Sequence, residues 1–188
     1  MCFRQIGRKF CLYLSKRKLC TNIKKGKVNL KNLQGCDLSY MNLSDVNMSG
    51  AIMTGSNLKN TILKGTNLQG ANLSGCNLSG ANLYEAILNY TNFTNATLIR
   101  ANLSGTKLFK TNFTDANLSN SNLYQAKIND TIFTRAIIIN VIVNEFKLNK
   151  SIIDGAIIQP REFLSQKIFS IITGSESINL KKIKPINV

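Results

Sequence analysis

An all-β solenoid, a chain wound into a four-sided rod with short helical caps at its ends, is the fold class to expect of this sequence. From Leu33 to Ile158 an apolar residue falls at every fifth position without a break, 26 times in all. Two residues before these positions stands a small one in most units: Ala ten times, Thr six, Ser three and Cys two. Phenylalanine takes the apolar position only at Phe93, Phe113 and Phe133, which are 20 residues apart. A helix repeats at 3.6 residues and a strand at 2, so neither yields a period of five.

Each five-residue unit makes one wall and one corner. Residues two apart point to the same side of an extended chain, so the small residue and the apolar one face inward together. The position between them faces out; it is Asn 13 times and Ile eight times. The next two residues are rich in Ser, Gly, Asn and Asp, which turn a chain. A chain that turns the same way each time closes into a coil. The phenylalanines give the number of walls, because each layer must fill the same cross-section and a Phe should stack on a Phe. Lys107, Lys127 and Lys147 form a second ladder at the same 20-residue interval. Twenty residues are four units, hence four walls.

The consensus A-N-L-S-G stands intact at 71–75 and 101–105. This tandem pattern resembles the pentapeptide-repeat family. The resemblance covers about 31–160 and implies a right-handed, four-sided parallel β-helix. It implies no particular activity. The quinolone-resistance members mimic DNA with an acidic surface, whereas this chain carries a formal net charge of +15. That function is therefore not transferred.

The pattern divides the chain. Residues 1–20 read as a basic amphipathic cap or targeting segment, with Phe3, Ile6, Phe10 and Leu14 at helical spacing. Residues 21–160 read as about seven coils, the first units degenerate. A capping helix is expected over 161–174, between Pro160 and Gly174, and a basic flexible tail over 175–188. Caps matter because each end of a β-rod is an open sheet edge that invites aggregation.

Catalysis finds little support. The chain has no histidine, so no Ser-His or Cys-His pair can form. Its nine acids are scattered, and no glycine-rich phosphate loop appears. The expectation is no enzyme, no metal and no cofactor. The five cysteines are odd in number and lack C-x-x-C spacing. Disulfides are not expected, which suggests an intracellular setting, cytoplasm or organelle interior. Cys36 and Cys76 fall at the small inward position and read as core. No apolar run reaches the length of a membrane span.

Three partner classes remain. A protein partner, or a second copy of the chain, fits the regular walls. Ile132, Ile137, Ile142, Ile152 and Ile157 take the outward middle position in the last coils, where Asn is usual before. A cluster of that kind points to an interface or to the seat of the C-terminal helix. Nucleic acid or an anionic membrane fits the basic N-terminus, since residues 1–36 hold ten Lys or Arg and no acid. The candidate polyanion contacts are Arg4, Arg8, Lys9, Lys16, Arg17, Lys18, Lys24, Lys25 and Lys27, with the Lys107, Lys127, Lys147 ladder. Sparse aromatic residues among these charges argue against base stacking. The inward assignment has a direct test. Leu103→Asp should abolish soluble protein, because each coil touches only its neighbours; an unchanged thermal unfolding curve would refute it.

Overall fold

The computed structural model describes residues 16–27, 29–30, 33–143 and 150–159. They form one short helix, α1 (Lys16–Lys24), followed by a rod of stacked coils. Within the rod, outward middle residues form parallel β-bridges with residues 20 positions away in the neighbouring coil. On the wall that carries Asp37, the bridges run through Asn57, Asn77, Thr97, Asn117 and Ile137 to Ile157. Those seven rungs have six intervals of about 4.8 Å, or about 29 Å of rod. Four short strands extend the bridges: β1 (Lys107–Phe109) with β2 (Lys127–Asn129), and β3 (Ile137–Ile139) with β4 (Ile157–Gln159).

The core follows the five-residue beat. Leu33, Leu38, Leu43, Met48, Met53 and the succeeding apolar positions through Phe113 and Leu118 are fully buried. Phe113 lies between Phe93 and Phe133, with ring centroids 5.0 and 5.3 Å away and planes within 4° and 8° of parallel. Toward the C-terminus the packing loosens: Ile128, Val143, Ile153 and Ile158 are only partly buried.

Backbone groups pair between coils and within corners. Leu58 N–H donates to Asn77 C=O at 2.7 Å, and Asn77 N–H donates to Ser56 C=O at 3.1 Å. At a corner, Ala71 N–H donates to Leu68 C=O at 2.9 Å. That same carbonyl accepts the Thr91 hydroxyl from the next coil at 2.8 Å. Thr111 does likewise with Leu88, and Thr131 with Leu108. Thr91, Thr111 and Thr131 thus bond to the backbone of the coil below rather than to one another along their column, whereas Thr106 bonds Leu103 C=O within its own coil at 2.7 Å. The hydroxyl needs an acceptor in a dry core, and the Leu carbonyl has a spare lone pair.

The outward Asn has a local task. Asn72 Oδ1 accepts Ser74 N–H at 3.0 Å, and Asn92 Oδ1 accepts both Thr94 N–H at 2.9 Å and the Thr94 hydroxyl at 2.6 Å. This is an Asx turn, which bends the chain into the corner. One residue later the backbone enters the left-handed region. Glycine holds that place at Gly75 and Gly105, but among the described residues fifteen non-glycines adopt it as well. At one such corner column Asp115 and Arg135 lie on successive coils. Arg135 Nε and Nη2 each donate to an Asp115 carboxylate oxygen at 2.6 Å.

Two expectations need correction. Residues 21–24 belong to α1, not to the rod, although Thr21-Asn22-Ile23 fits the repeat. At the open end of a rod a strand has a neighbour on one side only, whereas a helix satisfies its own backbone. Leu19 and Ile23, four apart on one helix face, are buried against the core, so α1 caps the rod. Cys36 is disulfide-bonded, its partner lying outside the described side chains. Cysteine usage therefore does not argue for a reducing compartment. Cys2, Cys11 and Cys20 all precede Cys36 in the chain. The expected helix over 161–174, the tail over 175–188 and the residues Phe3, Ile6, Phe10 and Leu14 lie outside the described residues.

Arg100 sits at a corner with φ 59° and is exposed. Arg100→Gly should stabilise the rod by about 0.5–1 kcal/mol, since the left-handed region costs a side-chain-bearing residue about 1–2 kcal/mol and glycine gives back part of that as backbone entropy. An unfolding midpoint at or below that of the unaltered protein would contradict the corner assignment. Arg135 beside Asp115 holds that carboxyl below its ordinary pKa. Its contribution to stability is present above the unfolded carboxylate range and is lost as pH falls through the lowered native value. The stability difference between the protein and Asp115→Asn should accordingly vanish in acid; a difference that grows there would contradict the pairing.

Candidate interaction surfaces

With the inside filled by repeat residues, chemistry is confined to the outward and corner positions. Cys76 shows the contrast. Its thiol donates to Met53 C=O at 2.9 Å, and burial pushes its pKa up to about 11. It is an inert core group. Among the described residues no cluster of His, Cys, Asp or Glu could hold a metal ion, and no helix is long and apolar enough to cross a membrane.

The basic N-terminal candidates separate. Arg4, Arg8 and Lys9 lie outside the described residues. Lys16, Arg17, Lys18 and Lys24 fall on α1, and Lys25 and Lys27 follow it. Lys24, Lys25 and Lys27 are exposed. Leu19 and Ile23 of the same helix face the rod, so that apolar pair is already used for capping.

The isoleucines occupy three walls. Ile132 bridges Ile152 on the wall of the stacked phenylalanines. Ile137 pairs with Ile157 on the next wall, through β3 and β4. Ile142 bridges Asn122 on the third. They form a belt around the last coils rather than one flat patch. Ile142 and Ile152 are the most exposed, at 39% and 52%.

The fourth wall carries the lysine ladder. Lys107 and Lys127 are register partners in β1 and β2, and both are exposed. Lys147 lies outside the described residues. Beside the ladder runs a feature that the linear sequence does not announce. Tyr90, at the corner below, packs edge-on against Phe109, with centroids 5.3 Å apart and planes at 88°. The Lys110 ammonium lies 5.3 Å from the centroid of the same Phe109 ring. Asn89 Oδ1, one coil down, accepts Phe109 N–H at 3.1 Å. Tyr90 and Lys110 are 20 residues apart and so share a corner column; the phenylalanine period was the signal that could have joined them. Sparse aromatics in sequence thus become an aromatic pair among lysines in space. A simpler case occurs on the third wall, where Lys64 Nζ lies 5.5 Å from the Tyr84 ring centroid.

Comparison with known proteins agrees with this architecture. The family model for pentapeptide repeats matches in overlapping stretches from residue 32 to residue 152. Among curated proteins no sequence matches. A pentapeptide repeat protein from the Arabidopsis thaliana thylakoid lumen is 29% identical with a TM-score of 0.51, over 52% of this chain and 68% of that one. A second, Rfr23 from the cyanobacterium Cyanothece 51142, is 29% identical with a TM-score of 0.37, over 65% of this chain and 83% of that one. The plasmid-mediated fluoroquinolone resistance protein QnrB1 is 15% identical with a TM-score of 0.48, over 70% and 67%. The unbroken five-residue beat, the four-walled stack and the family match lead to one assignment: the chain belongs to the pentapeptide-repeat family, whose fold is the right-handed quadrilateral β-helix.

Proposed function

We propose that the chain is a non-enzymatic scaffold whose rigid walls present an interaction surface to a protein partner. The isoleucine belt supports this reading best. Asn at the outward middle position fixes its corner through an Asx turn, as Asn112 does for Thr114 N–H at 2.9 Å. Ile at 132, 137, 142, 152 and 157 gives up that bond and places apolar surface outside. Such a concentration on the last coils suits a partner that buries it, or a second copy of the chain. A second reading has its own support. Lys24, Lys25 and Lys27 are exposed where α1 ends, and a polyanion or anionic membrane could meet the rod there through charge.

Replacing the five isoleucines together by Asn tests the first reading. The variant should keep its unfolding midpoint within a few degrees, because each Asn restores a turn bond. It should also lose the proteins that proximity labelling in cells finds around the unaltered chain, or dissociate a dimer seen by light scattering. A folded variant with the same neighbours and the same mass would remove the belt from the function.

A further inference from the structure

The C-terminal half of the fourth wall carries an observation of a different kind from the isoleucine belt. Along the corner column beside it, the left-handed position passes from Gly50 and Gly70 to Tyr90, Lys110, Asp130 and Lys150, with φ between 50° and 61° in the last four. Glycine meets this geometry without strain, and each replacement costs the fold about 1 kcal/mol or more. That cost is borne at fifteen described corners, so it does not by itself mark this one; what is particular here is what the side chains present outside, with Tyr90 51% exposed. Lys107 and Lys127 add like charges one rung apart, about 4.8 Å, which repel on a bare surface. Neither has an ion-pair partner among the described residues. Four lysines (107, 110, 127, 150) against Asp130 leave a local net charge of +3.

We propose that this surface, centred on Tyr90, Lys107, Lys110 and Lys127, binds single-stranded nucleic acid. The lysines would take backbone phosphates, and an unpaired base would stack on the exposed Tyr90 ring. Phosphates relieve the repulsion between Lys107 and Lys127. The ring selects among polyanions. An acidic protein segment would engage the lysines and leave Tyr90 idle, and a duplex has no free base face to offer it. Phe109 serves as the support: its ring is flanked by Tyr90 and Lys110, which fixes both at the corner. The site spans the rungs from Tyr90 to Lys127, about 10 Å, room for two or three nucleotides.

The test uses the full chain and fluorescein-labelled octauridylate, followed by anisotropy from 50 to 200 mM salt. Tyr90→Gly is the informative variant. It relieves a strained φ, so it should fold at least as well as the parent. Binding should weaken about fivefold or more with little change in salt slope, the signature of lost stacking. Lys107→Ala with Lys127→Ala should reduce the log–log salt slope by about 1.4, at about 0.7 per single-strand phosphate contact. Tyr124→Ser, on the third wall, should leave both unchanged. Tyr90→Gly binding as the parent does would overturn the proposal. So would a polyglutamate peptide of equal charge that displaces the oligonucleotide as well as unlabelled octauridylate does; the surface would then belong to an acidic protein. Neither result bears on the isoleucine belt, whose own test reads protein neighbours.

Discussion

Each coil must present the same cross-section to the coil above and below it, and everything else in this rod is arranged to meet that condition. Leu78 can be dry only if Leu58 and Leu98 lie over it, and Phe113 fits only because Phe93 and Phe133 widen the layers on either side by the same ring. The condition acts at a fixed interval of 20 residues, so it fixes the angle of every corner. A corner that opened slightly would displace four inward columns at once. This explains why so much hydrogen bonding is spent on turning the chain. The Leu68 carbonyl serves the turn through Ala71 and the next coil through Thr91. Corner and stack are therefore held by the same oxygen.

A consequence of this economy is that the outside is nearly free of structural duty. An outward Asn is preferred for its turn bond, worth about 1 kcal/mol, yet the fold tolerates Ile or Lys in its place. A left-handed corner prefers Gly but accepts Tyr, Lys, Arg and Asp. Departures from the preferred residue are visible against this background in a way they would not be in an irregular protein. The isoleucine belt stands out because the rule it breaks is known for each position, and the Tyr90–Lys110 corner stands out because an exposed ring and an ammonium meet on Phe109.

The rod itself was legible in the sequence. The apolar beat from Leu33 onward gave the walls, and Phe93, Phe113 and Phe133 gave their number. The limits of the rod were less legible. Thr21-Asn22-Ile23 has the right residue types for a wall, but it lies at the end of the stack, where α1 covers the core with Leu19 and Ile23, and composition does not record position in a stack. The disulfide at Cys36 was hidden for a related reason, since an odd cysteine count says nothing of which thiols the fold brings together. The surfaces were half legible. The lysine ladder lies in one column and shows itself at a single spacing. Tyr90, Phe109 and Lys110 come from two columns and two coils, so no single spacing connects them. The isoleucines appear as a cluster in sequence because they fall in neighbouring units, broken only by Lys147, yet neighbouring units occupy different walls.

The equality of the four walls has a further effect on how such a chain can change. Loss or gain of one five-residue unit leaves the beat unbroken, so inward residues still meet inward residues. Everything beyond the change, however, is turned by a quarter of a revolution. Removing the unit 116–120, for example, would carry Lys127 off the column of Lys107 and slide Phe133 out from over Phe113. The rod would still be a rod, with the same composition and almost the same length, but its surface would have been re-dealt among the walls. In this architecture, the count of units between two side chains matters as much as their identity.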